Sequence, residues 1–217
     1  MSLTQQLAQT RAAFLAQVAD DIRQVMDQAT AELAASGITE TALNVGDRLP
    51  DATLSDHRDA PVNLYEQLSN GPLVVSFYRG GWCPYCNLEL KALQAKLPQI
   101  RTLGANLIAI TPELPDESLN TVEKNAIRFP VLTDVGSHYA RECGLVFTLP
   151  ESLRPVYDGF GIDVEKHNGA GQFDFPLAAT YVVGRGGAIE HAFIDADYTK
   201  RLDPEQIMAS LHALKAA

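Results

Sequence analysis

Apolar residues near the N-terminus recur at helical spacing. Between residues 3 and 33 they stand mostly three, four or seven positions apart, as at Leu7, Phe14 and Val18. This spacing predicts one amphipathic helix, or two in succession. The apolar stripe has two interpretations: it packs on the chain's own domain, or it docks a partner, for example a second copy in a homodimer. We treat residues 1–43 as an N-terminal helical extension and residues 44–217 as the main domain.

The main domain alternates short apolar runs with helical patterns. The continuous apolar run at residues 72–78 is typical of a strand buried on both faces. Further strands are predicted at residues 61–64, 106–110, 130–132, 179–183 and 188–194, the last two forming a hairpin. Helices are predicted from the cysteine pair to just before Pro98, at residues 116–128 and 137–143, and from Pro204 onward.

Residues 149–175 are rich in glycine and are predicted to be an irregular insertion with a helical turn. The order of elements predicts an α/β fold. Its central mixed β-sheet, parallel at first and antiparallel at its end, is flanked by helices and preceded by the N-terminal helical extension.

Composition and charge narrow the function classes. The 217 residues are 46% apolar, which suffices for one ordinary core. The net charge of −10, without a cluster of Lys or Arg, argues against nucleic acid or an anionic membrane as a partner. No apolar stretch approaches the roughly 18 residues of a membrane span, and the N-terminus lacks the basic start of a signal peptide. We therefore expect a soluble, cytoplasmic protein.

Two cysteines stand at a predicted strand-to-helix junction, in the order Cys83-Pro84-Tyr85-Cys86. Pro84 suits the first helical position, which makes Cys83 the cap. Amide groups at a helix N-terminus favour a thiolate, and two thiols so spaced can form a disulfide. This position predicts redox chemistry. The alternatives are half of a zinc site, for which Cys143 and five histidines supply no second ligand pair, or two merely buried thiols. No metal or cofactor is predicted.

The stretch 75–90, with Arg79-Gly80-Gly81-Trp82 before the cysteines, resembles the thioredoxin-fold superfamily. It is most similar to the peroxiredoxin-like branch of the alkyl hydroperoxide reductase and thiol-specific antioxidant family. The similarity covers residue 45 to the C-terminus and leaves the N-terminal helix outside. It implies a thioredoxin-like fold and thiol-dependent reduction of hydrogen peroxide or organic hydroperoxides. It also implies an external thiol reductant, from the thioredoxin or glutathione system.

The resemblance offers two registers for the attacking sulfur. The peroxiredoxin pattern Pro-x-x-x-Thr-x-x-Cys makes Cys86 the attacking residue, but it places Arg79 at the proline and Cys83 at the threonine. The thioredoxin and glutaredoxin pattern makes Cys83 the exposed nucleophile and Cys86 the buried resolving cysteine. We expect a cap residue to be the more exposed of the two, which favours Cys83.

Three further side chains are candidates for the site. The arginine that peroxiredoxins carry before their closing strand is replaced by alanine here, at positions 178 and 179. Arg79 is the cation that could take over its role, unless it is an ordinary surface arginine. Trp82 and Tyr85, on either side of Cys83, are predicted to contact substrate, although Trp82 could be a rim aromatic. Cys143 is either a distant resolving cysteine or a buried apolar residue.

Three functions follow from these features. The first is a thiol peroxidase with a Cys-x-x-Cys thiol and disulfide cycle. The second is a thiol-disulfide oxidoreductase acting on a protein disulfide or a small disulfide such as that of glutathione. The third is a non-catalytic redox-sensing module in which the N-terminal helix makes the interaction.

Overall fold

A computed structural model of the chain describes residues 1–216. Its helices are α1 (Leu3–Leu15), α2 (Asp20–Ala35), α3 (Ile38–Thr41), α4 (Leu64–Asn70), α5 (Pro84–Thr102), α6 (Pro115–Asn125), α7 (His138–Glu142), α8 (Arg154–Gly159), α9 (Val164–Asn168) and α10 (Pro204–Ala216). Its strands are β1 (Thr53–Asp56), β2 (Pro61–Asn63), β3 (Leu73–Phe77), β4 (Asn106–Thr111), β5 (Val131–Thr133), β6 (Val146–Thr148), β7 (Asp174–Pro176), β8 (Ala178–Val183) and β9 (Ile189–Asp195). A 3₁₀ turn spans Glu151–Leu153.

Seven strands form the central sheet, in the order β2-β1-β5-β4-β3-β8-β9. Strands β3, β4 and β5 pair in parallel, and the remaining neighbours are antiparallel. All five residues of β3 are buried, because its apolar run lies between two helical layers. The structure therefore confirms the predicted mixed α/β sheet. Within residues 1–216, no helix is long and apolar enough to cross a membrane.

Helices cover both faces of the sheet. Side chains from α1, α5 and α10 share one apolar core, and those from α4 and α7 share another on the opposite face. Leu3 and Leu7 of α1 are buried in the first core, and Ala29 of α2 packs in a smaller cluster with residues 149–175. The chain's own domain thus buries part of the apolar stripe of the extension, while Phe14 and Val18 remain half-buried.

Two local predictions were wrong. Helix α5 does not end before Pro98 but continues to Thr102. The proline ring is exposed, and the burial of Leu97 and Ile100 on the opposite side offsets the roughly 3 kcal/mol cost of an internal proline. Residues 149–175 contain α8, α9, the 3₁₀ turn and part of β7, rather than a single helical turn.

Candidate active site

The cysteine pair opens α5 directly after the central strand β3. Cys83 is the N-cap residue in an extended conformation, and Pro84 occupies the first turn, as the sequence predicts. The Asn87 side chain donates hydrogen bonds to the carbonyl oxygens of Gly81, at 2.7 Å, and Cys83, at 3.1 Å. These bonds fix the loop on the helix that follows it, so the cysteine backbone is held rigidly.

A buried carboxylate fastens the other side of this loop. The Gly81 amide donates to Oε1 of Glu113 at 2.9 Å, and the same oxygen lies 3.2 Å from Nδ1 of His167. A Cβ atom at position 81 would come within 1.9 Å of the Thr121 hydroxyl oxygen, so only glycine fits there. Neither Glu113 nor His167 was predicted from the sequence as a site residue.

Both cysteines of the pair are buried. Cys83 and Cys86 each have 0% of their surface exposed. The expectation that Cys83 is the exposed member was therefore wrong. Pro84, the first residue of α5, is exposed, whereas the two cysteines lie in an apolar core that also contains Tyr85 and the half-buried Trp82. Exposure cannot identify the attacking sulfur, so the choice depends on the charges around each one.

Arg79 lies inside the site and is not a surface residue, since only 4% of it is exposed. Its Nη2 donates to Sγ of Cys83 at 3.3 Å, and its Nη1 donates to the Tyr157 hydroxyl at 2.8 Å. The guanidinium carbon lies 5.0 Å from the ring centre of Trp82 and 4.4 Å from that of Tyr198. Stacking between two rings holds the cation beside the sulfur.

A second arginine, Arg201, donates a hydrogen bond to the other cysteine. Nη2 of Arg201 donates to Sγ of Cys86 at 3.0 Å, and its Nε pairs with Glu89. Glu89 also accepts a hydrogen bond from the Thr180 hydroxyl at 3.2 Å. Neither Arg201 nor Glu89 was predicted from the sequence as a site residue. Glu89 gave a weak signal, as a carboxylate among the apolar positions of α5, whereas Arg201 follows the β8–β9 hairpin in a loop without periodicity.

The two thiols have opposite acidities. Burial alone raises the pKa of Cys83, but a hydrogen bond from Cys86 and the charges of Arg79 and Arg201 outweigh it. They hold that pKa well below the ordinary value of a thiol. Burial, followed by the hydrogen bond to Cys83 and the charge on it, raises the pKa of Cys86 well above its ordinary value. These surroundings therefore favour the thiolate at Cys83 over the thiolate at Cys86.

Trp82 and Tyr85 form aromatic walls around the pair. The Trp82 ring centre lies 5.5 Å from that of Tyr157, and the Tyr85 ring centre lies 5.7 Å from that of Tyr198. Trp82, Tyr85 and Arg79 line a common cavity next to the cysteine loop. The position of both rings is compatible with the predicted contact to substrate.

Comparison with known proteins settles the family. A family model described as the AhpC/TSA family matches residues 45–192. The chain belongs to the AhpC/TSA family. This confirms the identification made from the motif around the cysteines, and the match begins after the N-terminal extension.

Named relatives include peroxiredoxins and a disulfide oxidoreductase. Peroxiredoxin Bcp of Escherichia coli (strain K12) is 23% identical over 153 residues, covering 70% of this chain and 86% of that protein. Thiol-disulfide oxidoreductase ResA of Bacillus cereus is 25% identical over 121 residues, covering 55% of this chain and 68% of that protein. The crystal structure of Peroxidoxin BcpB from Mycobacterium tuberculosis superposes with a TM-score of 0.63 at 19% identity, covering 79% and 98% of the two chains. This likeness confirms the thioredoxin-like fold.

Cys143, the third cysteine of this AhpC/TSA chain, lies apart from the site. It is buried in the core on the opposite face of the sheet from Cys83 and Cys86. Burial raises the pKa of its thiol to about 12, so it remains protonated at neutral pH. Its placement favours the buried apolar interpretation over the resolving one.

The acidity of Cys83 predicts a specific titration. We expect the reduced protein to show one thiolate, seen by its ultraviolet absorbance, at a pH below the ordinary thiol pKa of about 8.5. Because the folded pKa is depressed, the stability that the thiolate contributes is present above the unfolded pKa and is lost as pH falls through the folded one. Arg79→Gln should move the midpoint upward. If the Cys83→Ser protein still forms a thiolate with the same low-pH midpoint as the wild type, the assignment of the acidic thiol to Cys83 is wrong.

Proposed function

We propose that this protein is a thiol-dependent peroxidase in which the Cys83 thiolate attacks the peroxide. The observation that carries the proposal is the contact of the Arg79 guanidinium with the Cys83 sulfur at 3.3 Å, within a buried aromatic site. A cation so placed stabilises the thiolate and can donate hydrogen bonds to the peroxide oxygens. Membership of the AhpC/TSA family supports the same chemistry.

The reaction breaks the oxygen–oxygen bond. The Cys83 sulfur attacks the terminal oxygen of a hydroperoxide, and a sulfur–oxygen bond forms as the alcohol oxygen leaves with the electron pair. The leaving oxygen takes up a proton, which gives an alcohol, or water from hydrogen peroxide. Cys83 becomes a sulfenic acid, so sulfur is oxidised by two electrons and the peroxide is reduced by two.

Cys86 then resolves the sulfenic acid. Its sulfur attacks that of Cys83, a disulfide forms, and water leaves carrying the thiol proton. Arg201, at 3.0 Å from Cys86, supports the loss of that proton by stabilising the thiolate. One external dithiol of the thioredoxin type, or two monothiols of the glutathione type, supply the two electrons and two protons that restore the pair.

Disulfide exchange is the alternative, and the resemblance to ResA favours it. Burial of the two sulfurs does not separate these functions, because a thioredoxin-type reductant must reach the same pair to restore it. The Arg79 guanidinium beside Cys83 favours peroxide as the oxidant, since its donors can bind the oxygen that takes up charge as the oxygen–oxygen bond breaks. The packing of the N-terminal helices on their own domain gives no support to the redox-sensing interaction module.

A rapid-mixing experiment tests the proposal. Reduced protein is mixed with hydrogen peroxide, with an organic hydroperoxide or with glutathione disulfide, and formation of the Cys83–Cys86 disulfide is followed. We expect peroxide to form the disulfide at a rate far above the oxidation of free cysteine. A peroxide rate equal to that of free cysteine, together with fast exchange with glutathione disulfide, would replace the peroxidase by the oxidoreductase.

A further inference from the structure

Two cavities meet at Arg79. The first, of about 120 Å³, lies against α2 and includes Ala29, Leu33 and Leu149 in its lining. The second, of about 90 Å³, includes Trp82 and Tyr85. We call them the Ala29 cavity and the Trp82 cavity. Their walls are mainly apolar, and Met26, Arg79, Tyr157 and Tyr198 belong to both.

The N-terminal extension supplies one wall of each cavity. Ala29 and Leu33 lie in α2, Phe14 lies in α1, and all precede the segment that matches the family. The Phe14 ring meets that of Phe160, after α8, with 5.8 Å between their centres. The extension and the α8 region therefore close over the site from two sides, in a way that the family segment alone does not provide.

Arg79 is the cation that the two cavities share. Its Nη2 donates to Sγ of Cys83 at 3.3 Å, and its Nη1 donates to the hydroxyl of Tyr157, which also lines both cavities, at 2.8 Å. A hydroperoxide group has two oxygens that can accept hydrogen bonds from a guanidinium. The two mainly apolar cavities therefore share one cationic wall, and it lies next to the reacting sulfur.

We propose that the extension makes the enzyme selective for hydroperoxides with a compact apolar group, no larger than one aromatic ring. This inference rests on the proposed peroxidase function. An apolar cavity of about 150 Å³ takes up one benzene molecule, and the Ala29 cavity is slightly smaller and open toward Arg79. The hydroperoxide oxygens lie at the guanidinium while the apolar group lies against α2. Met26 and Ala29 are then specificity-determining residues.

Filling the Ala29 cavity tests this selectivity. In Ala29→Met, the added side chain occupies the space of the apolar group but leaves Arg79 and Cys83 in place. We expect kcat/KM for tert-butyl hydroperoxide to fall about 10-fold or more, and that for hydrogen peroxide to stay within about 2-fold. Gln24→Met, on the exposed side of the same helix, is the matched control and should change neither value. Thr30→Leu, which also faces the cavity, replaces Ala29→Met if the latter does not fold.

A binding measurement separates this inference from the proposed function. Trp82 is the only tryptophan of the chain, and its ring packs against Tyr157, which lines the Ala29 cavity. We expect its fluorescence to change when tert-butanol, the reaction product, binds without any turnover. We expect saturable binding that Ala29→Met weakens at least about 10-fold and Gln24→Met leaves unchanged. The inference would be overturned if Ala29→Met lowered kcat/KM equally for both peroxides. It would also be overturned if Ala29→Met left the binding of the alcohol unchanged. If the protein showed no peroxidase activity but still bound the alcohol in an Ala29-dependent way, the proposed function would be wrong and the apolar binding site would remain supported.

Discussion

Replacement of Cys83 by serine should abolish peroxide reduction, because a serine hydroxyl cannot form the thiolate that Arg79 stabilises. We expect a loss of at least about 10³-fold, against accelerations of roughly 10⁶-fold or more that enzymes typically give. Cys86→Ser should behave differently. It should consume one equivalent of peroxide at a near-normal rate and then stop with a sulfenic acid on Cys83, since no neighbouring thiol can resolve it.

A sulfenate-trapping reagent followed by mass analysis locates the oxidised residue in each variant. Cys143→Ala is the matched control, and it should keep full turnover because Cys143 lies on the opposite face of the sheet. Sulfenic acid trapped on Cys86 in the Cys83→Ser protein, formed as fast as in the wild type, would reverse the roles. In that case Arg201 would be the cation of the attacking sulfur and the peroxiredoxin register would hold.

The position of the cysteine pair could be predicted because its determinants are local. A β-branched apolar run followed by a glycine pair, a cysteine and a proline predicts the end of a buried strand and the start of a helix from adjacent residues. The order of such apolar runs and helical patterns along the chain likewise predicted the mixed sheet. It failed at Pro98, where the burial of Leu97 and Ile100 outweighs a local helix-breaking preference.

The surroundings of the sulfurs could not be predicted because they come from distant parts of the chain. Glu89 and Arg201 are 112 positions apart, and the loop that carries Arg201 has no periodic pattern. The Tyr157 hydroxyl accepts a hydrogen bond from Arg79, the cation beside Cys83, and it lies in a segment that the sequence predicts to be irregular. Local sequence could predict where the helix begins but not which side chains surround the two sulfurs.

The Arg201–Glu89 pair explains how a resolving cysteine can be fully buried and still lose its proton. Arg201 is 6% exposed and also donates to the carbonyl oxygens of Tyr198, at 2.7 Å, and Lys200, at 2.6 Å. These bonds and Glu89 satisfy the guanidinium on the sides away from the sulfur. The remaining donor is therefore held at Cys86, on a loop that closes the site.

Arg201→Met should consequently lower stability strongly. Removing one partner of a buried ion pair leaves the other charge uncompensated, which costs about 3–5 kcal/mol. Urea unfolding of the reduced protein measures this loss. Arg185→Met, in the exposed turn between β8 and β9, is the control for loss of one positive charge and should change stability by less than about 0.5 kcal/mol.

The pH dependence of that loss identifies its cause. Burial raises the pKa of Glu89 above its ordinary value, and Arg201 opposes this shift, so the pKa should rise further in Arg201→Met. A carboxyl whose folded pKa exceeds its unfolded pKa contributes most stability below the unfolded pKa and loses it as pH rises through the folded one. The variant should therefore be less destabilised near pH 4 than at neutral pH, by about 1 kcal/mol or more.

The double variant Arg201→Met/Glu89→Gln separates folding from chemistry. Neutralising Glu89 removes the unpaired charge, so a substantial part of the stability should return. The attack of Cys86 on the Cys83 sulfenic acid should nevertheless remain slow, because no cation is left to favour the Cys86 thiolate. Sulfenic acid should then accumulate on Cys83 before the disulfide forms. Recovery of a wild-type rate of disulfide closure in the double variant would restrict Arg201 to a purely structural role.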